Sequence, residues 1–151
     1  MPIRCEIVSQ DRMVFEDDVD SVIIPGSMGE MGILPNHAPM LATMSFGVIR
    51  VYKGEQEEAF TVAGGLVEVQ PKIITVLADV AENVREIDVA RAQAAQRRIE
   101  EIMAEGPPAD PDTYLKMEAA LRRSKLRLDA ARRYRQQRRG LSPILEDETP
   151  S

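Results

Sequence analysis

The stretch Val48-Ile49-Arg50-Val51-Tyr52-Lys53-Gly54-Glu55, followed shortly by Ala59-Phe60-Thr61-Val62, reads as two strands around a turn. Apolar, β-branched residues recur at a period of two, and Gly54 supplies the freedom that a tight turn needs. Working outward, Gly64-Gly65 separates this pair from Leu66-Val67-Glu68-Val69, and Ile73-Ile74-Thr75-Val76-Leu77 closes the set. Toward the N-terminus, Val19-Asp20-Ser21-Val22-Ile23-Ile24 is β-branched and stops at Pro25. Ile3, Cys5 and Ile7 alternate with Arg4 and Glu6. Many short strands with turn residues between them predict a β-sandwich or barrel up to about residue 85.

One segment resists the alternating pattern. Gly26 to Pro39, read Gly-Ser-Met-Gly-Glu-Met-Gly-Ile-Leu-Pro-Asn-His-Ala-Pro, holds three glycines and two prolines. Glycine permits positive φ, and proline fixes φ and removes a donor, so neither a helix nor a long regular strand suits it. Ile33-Leu34 asks for burial. The segment therefore predicts a structured bulge or corner between strands, of the kind that displays a binding surface.

From residue 86 the period becomes helical. Asp88 is placed to cap a first helix, on which Ala92, Ala95, Ile99 and Ile102 share a face. Glu105-Gly106-Pro107-Pro108 ends it, and Asp110-Pro111 starts a second, as cap and first helical residue. Tyr114, Met117, Leu121 and Leu128 give that helix one narrow apolar seam, and Gly140 ends it. The expectation is a β-sandwich domain over 1–85, an antiparallel helical hairpin over 86–140, and a disordered tail over 141–151. Alanine-rich contacts bury little area, so the hairpin is expected to be held weakly.

Composition narrows the function. The net charge of −6 hides an asymmetry: residues 1–84 carry five Lys/Arg and thirteen Asp/Glu, whereas 120–139 carry nine Lys/Arg and one acid, Asp129. A basic segment on an acidic body suggests a partner of its own. Cys5 is the only cysteine, which fits a reducing compartment and a core position. No stretch has the length and apolarity of a transmembrane or signal segment. Six aromatic rings and no Trp argue against base stacking. A single His37 without cysteine partners argues against zinc, and no Ser/His/Asp set or Gly-rich phosphate loop is present.

Four motifs together carry a family resemblance. Gly29-Glu30-Met31-Gly32-Ile33-Leu34-Pro35-Asn36-His37-Ala38-Pro39 is similar to a loop of the form GExGILPxHAP. Val62-Ala63-Gly64-Gly65-Leu66-Val67-Glu68-Val69 is similar to an S/A-G-G-x-x-E-V strand pair. Val14-Phe15-Glu16-Asp17-Asp18-Val19 and Ile87-Asp88-Val89-Ala90-Arg91-Ala92 complete the match, which runs to about residue 135. The chain resembles the epsilon subunit of the bacterial F-type ATP synthase, called delta in mitochondria.

The resemblance implies a sandwich of about ten strands followed by a helical hairpin. It implies a non-catalytic rotor subunit that binds the gamma subunit and the c-ring, peripheral to the cytoplasmic side of the membrane and touching it only indirectly. Glu30 and His37 would then face the c-ring or gamma, although His37 equally suits a local hydrogen bond. The Ile87-Asp88-x-x-Arg91-Ala92 motif, with Glu82, Arg123 and Arg127, would bind a regulatory ATP, no cofactor being required. Against this, Asp88 is also a good helix cap, and Arg91 serves as well to bridge sandwich and helix. Arg122, Lys125, Arg132 and Arg133 would form an inhibitory arm that reaches acidic groups of the alpha/beta catalytic head. They also suit a solvated helix face, or contact with anionic lipid or nucleic acid. A stand-alone nucleic-acid-binding protein using this arginine-rich helix is the alternative, opposed by the overall acidity.

Overall fold

The computed structural model describes residues 1–106 and 110–137, with side chains up to 134. Eight strands precede two helices: β1 Ile3–Val8, β2 Met13–Val19, β3 Ser21–Gly26, β4 Gly29–Ile33, β5 Met40–Lys53, β6 Gln56–Val69, β7 Ile73–Ala78 and β8 Ala81–Asn83. The helices are α1, Val89–Ala104, and α2, Pro111–Gln137, about 40 Å long. The pairing order is β2-β1-β7-β6-β5-β3-β4, with β8 also on β6. All pairs are antiparallel except β1 with β7.

β5 and β6 are each fourteen residues long, and each serves two layers. The half where Met40–Met44 pairs with Gly65–Val69 continues the sheet of β7, β1 and β2. The half where Val48–Lys53 pairs with Gln56–Thr61 continues into β3 and β4 on one side and β8 on the other. Counted by halves, each layer holds five strand segments, so the expected ten-segment sandwich is built from eight continuous strands. Gly64-Gly65 therefore does not separate two strands. β6 runs through it and bends, with φ of 86° and 132° at the two glycines. A Cβ at Gly65 would strike the Leu77 carbonyl oxygen, and one at Gly47 would lie 2.5 Å from Pro25 Cβ, so both bends need glycine.

The inner faces close on Ile3, Cys5, Ile7, Val22, Ile24, Ile49, Val51, Phe60, Val67, Ile74 and Val76, all fully buried. Phe15 on β2 meets Phe60 on β6 across the layers, ring centroids 5.2 Å apart and tilted by 58°. Burial pushes the Cys5 thiol up to about 12, and neighbouring Glu6 adds to the rise. The Gly26–Pro39 segment is a tight β3–β4 hairpin closed by Gly26 and Gly29, then a turn in which Asn36 takes φ 66°. The Asn36 N–H donates to the Pro71 carbonyl at 2.9 Å, which ties that turn to the β6–β7 connection. Ile33 is buried as expected, but Leu34 is 62% exposed, because it follows the last β4 pair and leaves the sheet.

The hairpin packs on the outer face of the second layer. Asp88 caps α1 by accepting from the Arg91 N–H at 3.1 Å. Asp110 does the same for α2, its carboxylate accepting from the Asp112 N–H at 3.2 Å. Ala92 is buried, Ala95 and Ile99 are half-buried, and Ile102 is exposed. Of the expected α2 seam, Tyr114, Met117 and Leu121 are half-buried and Leu128 is buried. The seam therefore loosens toward the tip. The expected helix stop at Pro107-Pro108, the helix end at Gly140 and the tail over 141–151 lie outside the described residues.

Candidate functional site at the junction of sandwich and hairpin

A second apolar cluster joins the two parts: Ala59 of β6, Val84 and Ile87 of the connector, Ala92 of α1, and Leu128, Ala130, Ala131 and Tyr134 of α2. The connector is one 3₁₀ turn, Val84–Glu86, whose cap is Asn83: its side-chain oxygen accepts from the Arg85 N–H at 2.9 Å. Ile87 and Ala92, two of the expected nucleotide-binding residues, are each 1% exposed and pack inside this cluster. Their side chains support the site without facing it. Asp88 and Arg91 are both exposed at the N-terminus of α1.

The structure brings Glu82, Arg123 and Arg127 together. A terminal nitrogen of Arg127 lies 3.0 Å from Glu82 Oε1, a partly buried pair bridging β8 and α2. The contact uses one nitrogen only; Arg127 Nε is buried without an acceptor among the described residues. The crevice between them, walled by Val62, Ala63, Val80 and Leu126, has a volume of about 20 Å³. That admits a water and not a nucleotide. Asp88 and Arg91 do not line it. A larger hollow, about 550 Å³, opens beside it between the β1–β2 and β7–β8 turns. Its charged lining is Asp11, Asp79, Glu82 and Glu86 against Arg12, the wrong sign for phosphate.

The arm residues divide. The Arg122 guanidinium lies 4.5 Å from the centre of the Phe46 ring, so in this docked form it grips the sandwich. Arg133 stacks near Tyr134 at 5.5 Å. Lys125 and Arg132 line an open groove of about 250 Å³ between α1 and α2, facing Arg97, Glu100 and Asp129. At the far end of the second layer, Glu30 on β4 sits 3.1 and 3.2 Å from one Arg50 nitrogen. His37 Nδ1 is 2.8 Å from the Ala38 carbonyl, the local hydrogen bond foreseen as one of its two roles.

Sequence reasoning missed Phe46, Glu58, Arg85 and Tyr134. Glu58 carried a signal: it shares parity with Phe60 and Val62, so it is a carboxylate at an inward position. Arg85 and Tyr134 carried none, because their partners lie far away along the chain. Among the described residues no three of His, Cys, Asp and Glu are grouped to hold a metal ion, and no helix is long and apolar enough to cross a membrane.

A β-sandwich with a helical hairpin docked on one outer face through a small apolar cluster defines a class of small, two-part proteins. Two family models match it in succession: "ATP synthase, Delta/Epsilon chain, beta-sandwich domain" over residues 2–84, and "ATP synthase, Delta/Epsilon chain, long alpha-helix domain" over 85–132. The ATP synthase epsilon chain of Dehalococcoides mccartyi is 40% identical over 139 residues, covering 88% of this chain and 94% of that one. That of Bacillus licheniformis is 41% identical over 130 residues, covering 86% and 98%. The chain belongs to the delta/epsilon family of ATP synthase subunits. Its fold is similar to a chain of the Euglena gracilis mitochondrial ATP synthase, with TM-score 0.70, 24% identity and coverage of 86% and 81%. It is also similar to one of the Tetrahymena thermophila mitochondrial ATP synthase central stalk and c-ring, with TM-score 0.60, 11% identity and coverage of 87% and 97%.

Proposed function

We propose that this chain is a rotor subunit of a bacterial F-type, proton-translocating ATP synthase. It sits in the central stalk, on the cytoplasmic side of the membrane, and couples the catalytic head to the c-ring through gamma. It has no active site of its own. Glu30, His37 and the exposed Leu34 at the β3–β5 end suit the c-ring or gamma side. The hairpin is a regulatory arm that restrains ATP hydrolysis when it leaves the sandwich and reaches the alpha/beta head. The observation that carries this reading is the contrast within the hairpin: five of its residues, Ala92, Leu128, Ala130, Ala131 and Tyr134, are buried at its base, while the apolar residues of its outer half are half-buried or exposed.

ATP hydrolysis by the assembled synthase, with and without residues 86–151, tests the arm. Deletion is expected to raise hydrolysis; unchanged hydrolysis leaves only the coupling role. Nucleotide sensing at Glu82, Asp88, Arg91, Arg123 and Arg127 is the finer part of the proposal. Because the crevice holds about 20 Å³, ATP has to part Glu82 from Arg127 and draw the exposed Asp88 and Arg91 toward it. A ligand shifts the arm only by its differential affinity for the two forms. Millimolar ATP is expected to slow proteolysis of the hairpin in the isolated protein, and Arg127→Ala to weaken that protection. No protection at millimolar ATP refutes the sensing role.

A further inference from the structure

We propose that the buried Glu58–Arg85 ion pair, roofed by Tyr134, sets how readily α2 leaves the sandwich; the inference rests on the mobile-arm reading above. Glu58 is 1% exposed on β6. Its Oε1 lies 2.8 Å from Arg85 Nε and accepts from Asn83 Nδ2 at 3.1 Å. Its Oε2 is buried with no partner among the described residues. Glu58, Asn83, Arg85 and Tyr134 together wall a cavity of about 10 Å³, room for a single water. Three of these walls belong to the sandwich and connector. The fourth, Tyr134, is 6% exposed and belongs to α2.

Lifting α2 therefore takes away the roof and admits water to both charges. Burial of an ion pair carries a desolvation cost that mutual attraction only partly offsets. The docked form bears that cost chiefly at Glu58, since the Arg85 side chain stays 23% exposed, and the undocked form regains hydration at the carboxylate. The pair thus works against the apolar cluster of Val84, Ile87, Leu128 and Tyr134, and keeps docking shallow. It lies beside Tyr134, at the end of the stretch of α2 that is buried among the described residues, so its hydration changes with the arm's position.

Hydrogen exchange of the α2 amides around 124–134 in the full chain, with the β1, β6 and β7 amides as internal reference, tests this. Arg85→Met alone strands a buried carboxylate and is expected to speed opening about tenfold, whereas Arg85→Met with Glu58→Gln removes both charges, keeps an acceptor for Asn83, and is expected to slow opening about tenfold. Glu58→Gln alone is expected to change opening less than Arg85→Met, because the partly exposed Arg85 can turn to water. A double variant that opens as fast as the unsubstituted chain, with α2 still exchanging faster than the sandwich, overturns the proposal and leaves the mobile arm standing. α2 amides that exchange only at the rate of the sandwich core overturn both.

Discussion

The sandwich and the hairpin are stabilised in different ways. In the sandwich the inward residues of both layers interdigitate, and twelve of them are fully buried: Ile3, Cys5, Ile7, Val19, Val22, Ile24, Ile49, Val51, Phe60, Val67, Ile74 and Val76. Removing any one leaves a hole that the pleated backbone cannot collapse to fill. The hairpin meets the sandwich between Arg122 and Tyr134 of α2, about three and a half turns, with alanines at three of the seven cluster positions outside β6's Ala59. Alanine permits close approach and contributes little area. The difference teaches that one chain can combine a close-packed platform with an element held by a much smaller apolar contact, simply by changing side-chain size at the contact.

Four measurements would sharpen or break that contrast. The largest effect belongs to the platform: Phe60→Ala is expected to destabilise the chain by about 3–5 kcal/mol in a denaturant titration. A loss under 1 kcal/mol would contradict a close-packed inter-layer core. Next comes the base of the hairpin. Leu128→Ala is expected to weaken docking by about 2 kcal/mol, visible as faster proteolysis of 86–137 with the denaturant midpoint of the sandwich unchanged. A shared loss in both would mean that the two parts unfold as one.

Arg122→Ala removes a cation from the face of Phe46 and is expected to cost about 0.5–1 kcal/mol of docking. Phe46→Leu should reproduce it, and a double variant should add nothing further. Glu30→Gln breaks a pair in which the carboxylate side chain is 63% exposed, so folding stability should change by less than about 1 kcal/mol. A clear loss of coupled proton pumping with intact folding would then assign Glu30 to an interface.

Cys5 offers a reference clock for these comparisons. Its folded thiol is raised to about 12, against an ordinary value near 9. The native state therefore holds the proton across that window while the unfolded chain releases it, so stability falls as pH rises from about 9 toward 12. At pH 8 the buried thiol should react with a maleimide only as fast as the sandwich unfolds. Labelling that tracks hairpin opening instead would place the joint inside the platform.

Much of this was legible in the chain. The two-residue period through Val48–Val62 and the switch to helical spacing at residue 86 follow from side-chain direction alone, and so specify a β domain followed by helices. Asp88 and Asp110 announce their caps because the hydrogen bond they make is local. The Gly29–Pro39 motif and the Ile87–Ala92 motif were legible as family marks, though not as a working site. What sequence spacing does not reveal is which long-range partner each charge meets. In the docked form Arg127 meets Glu82 and Arg122 meets Phe46, partners that lie 45 and 76 residues away.

Local sequence determined the element types, the caps and the turns, because those depend on φ, ψ and neighbours within one helical turn. Only the tertiary structure decided that Gly64-Gly65 bends a strand and does not end it. That outcome depends on β7 and β8 pairing with successive stretches of β6. Tertiary structure also decided that Glu58, Arg85 and Tyr134 converge. Their positions are 27 and 49 residues apart along the chain, and only the docking of α2 against β6 closes that distance.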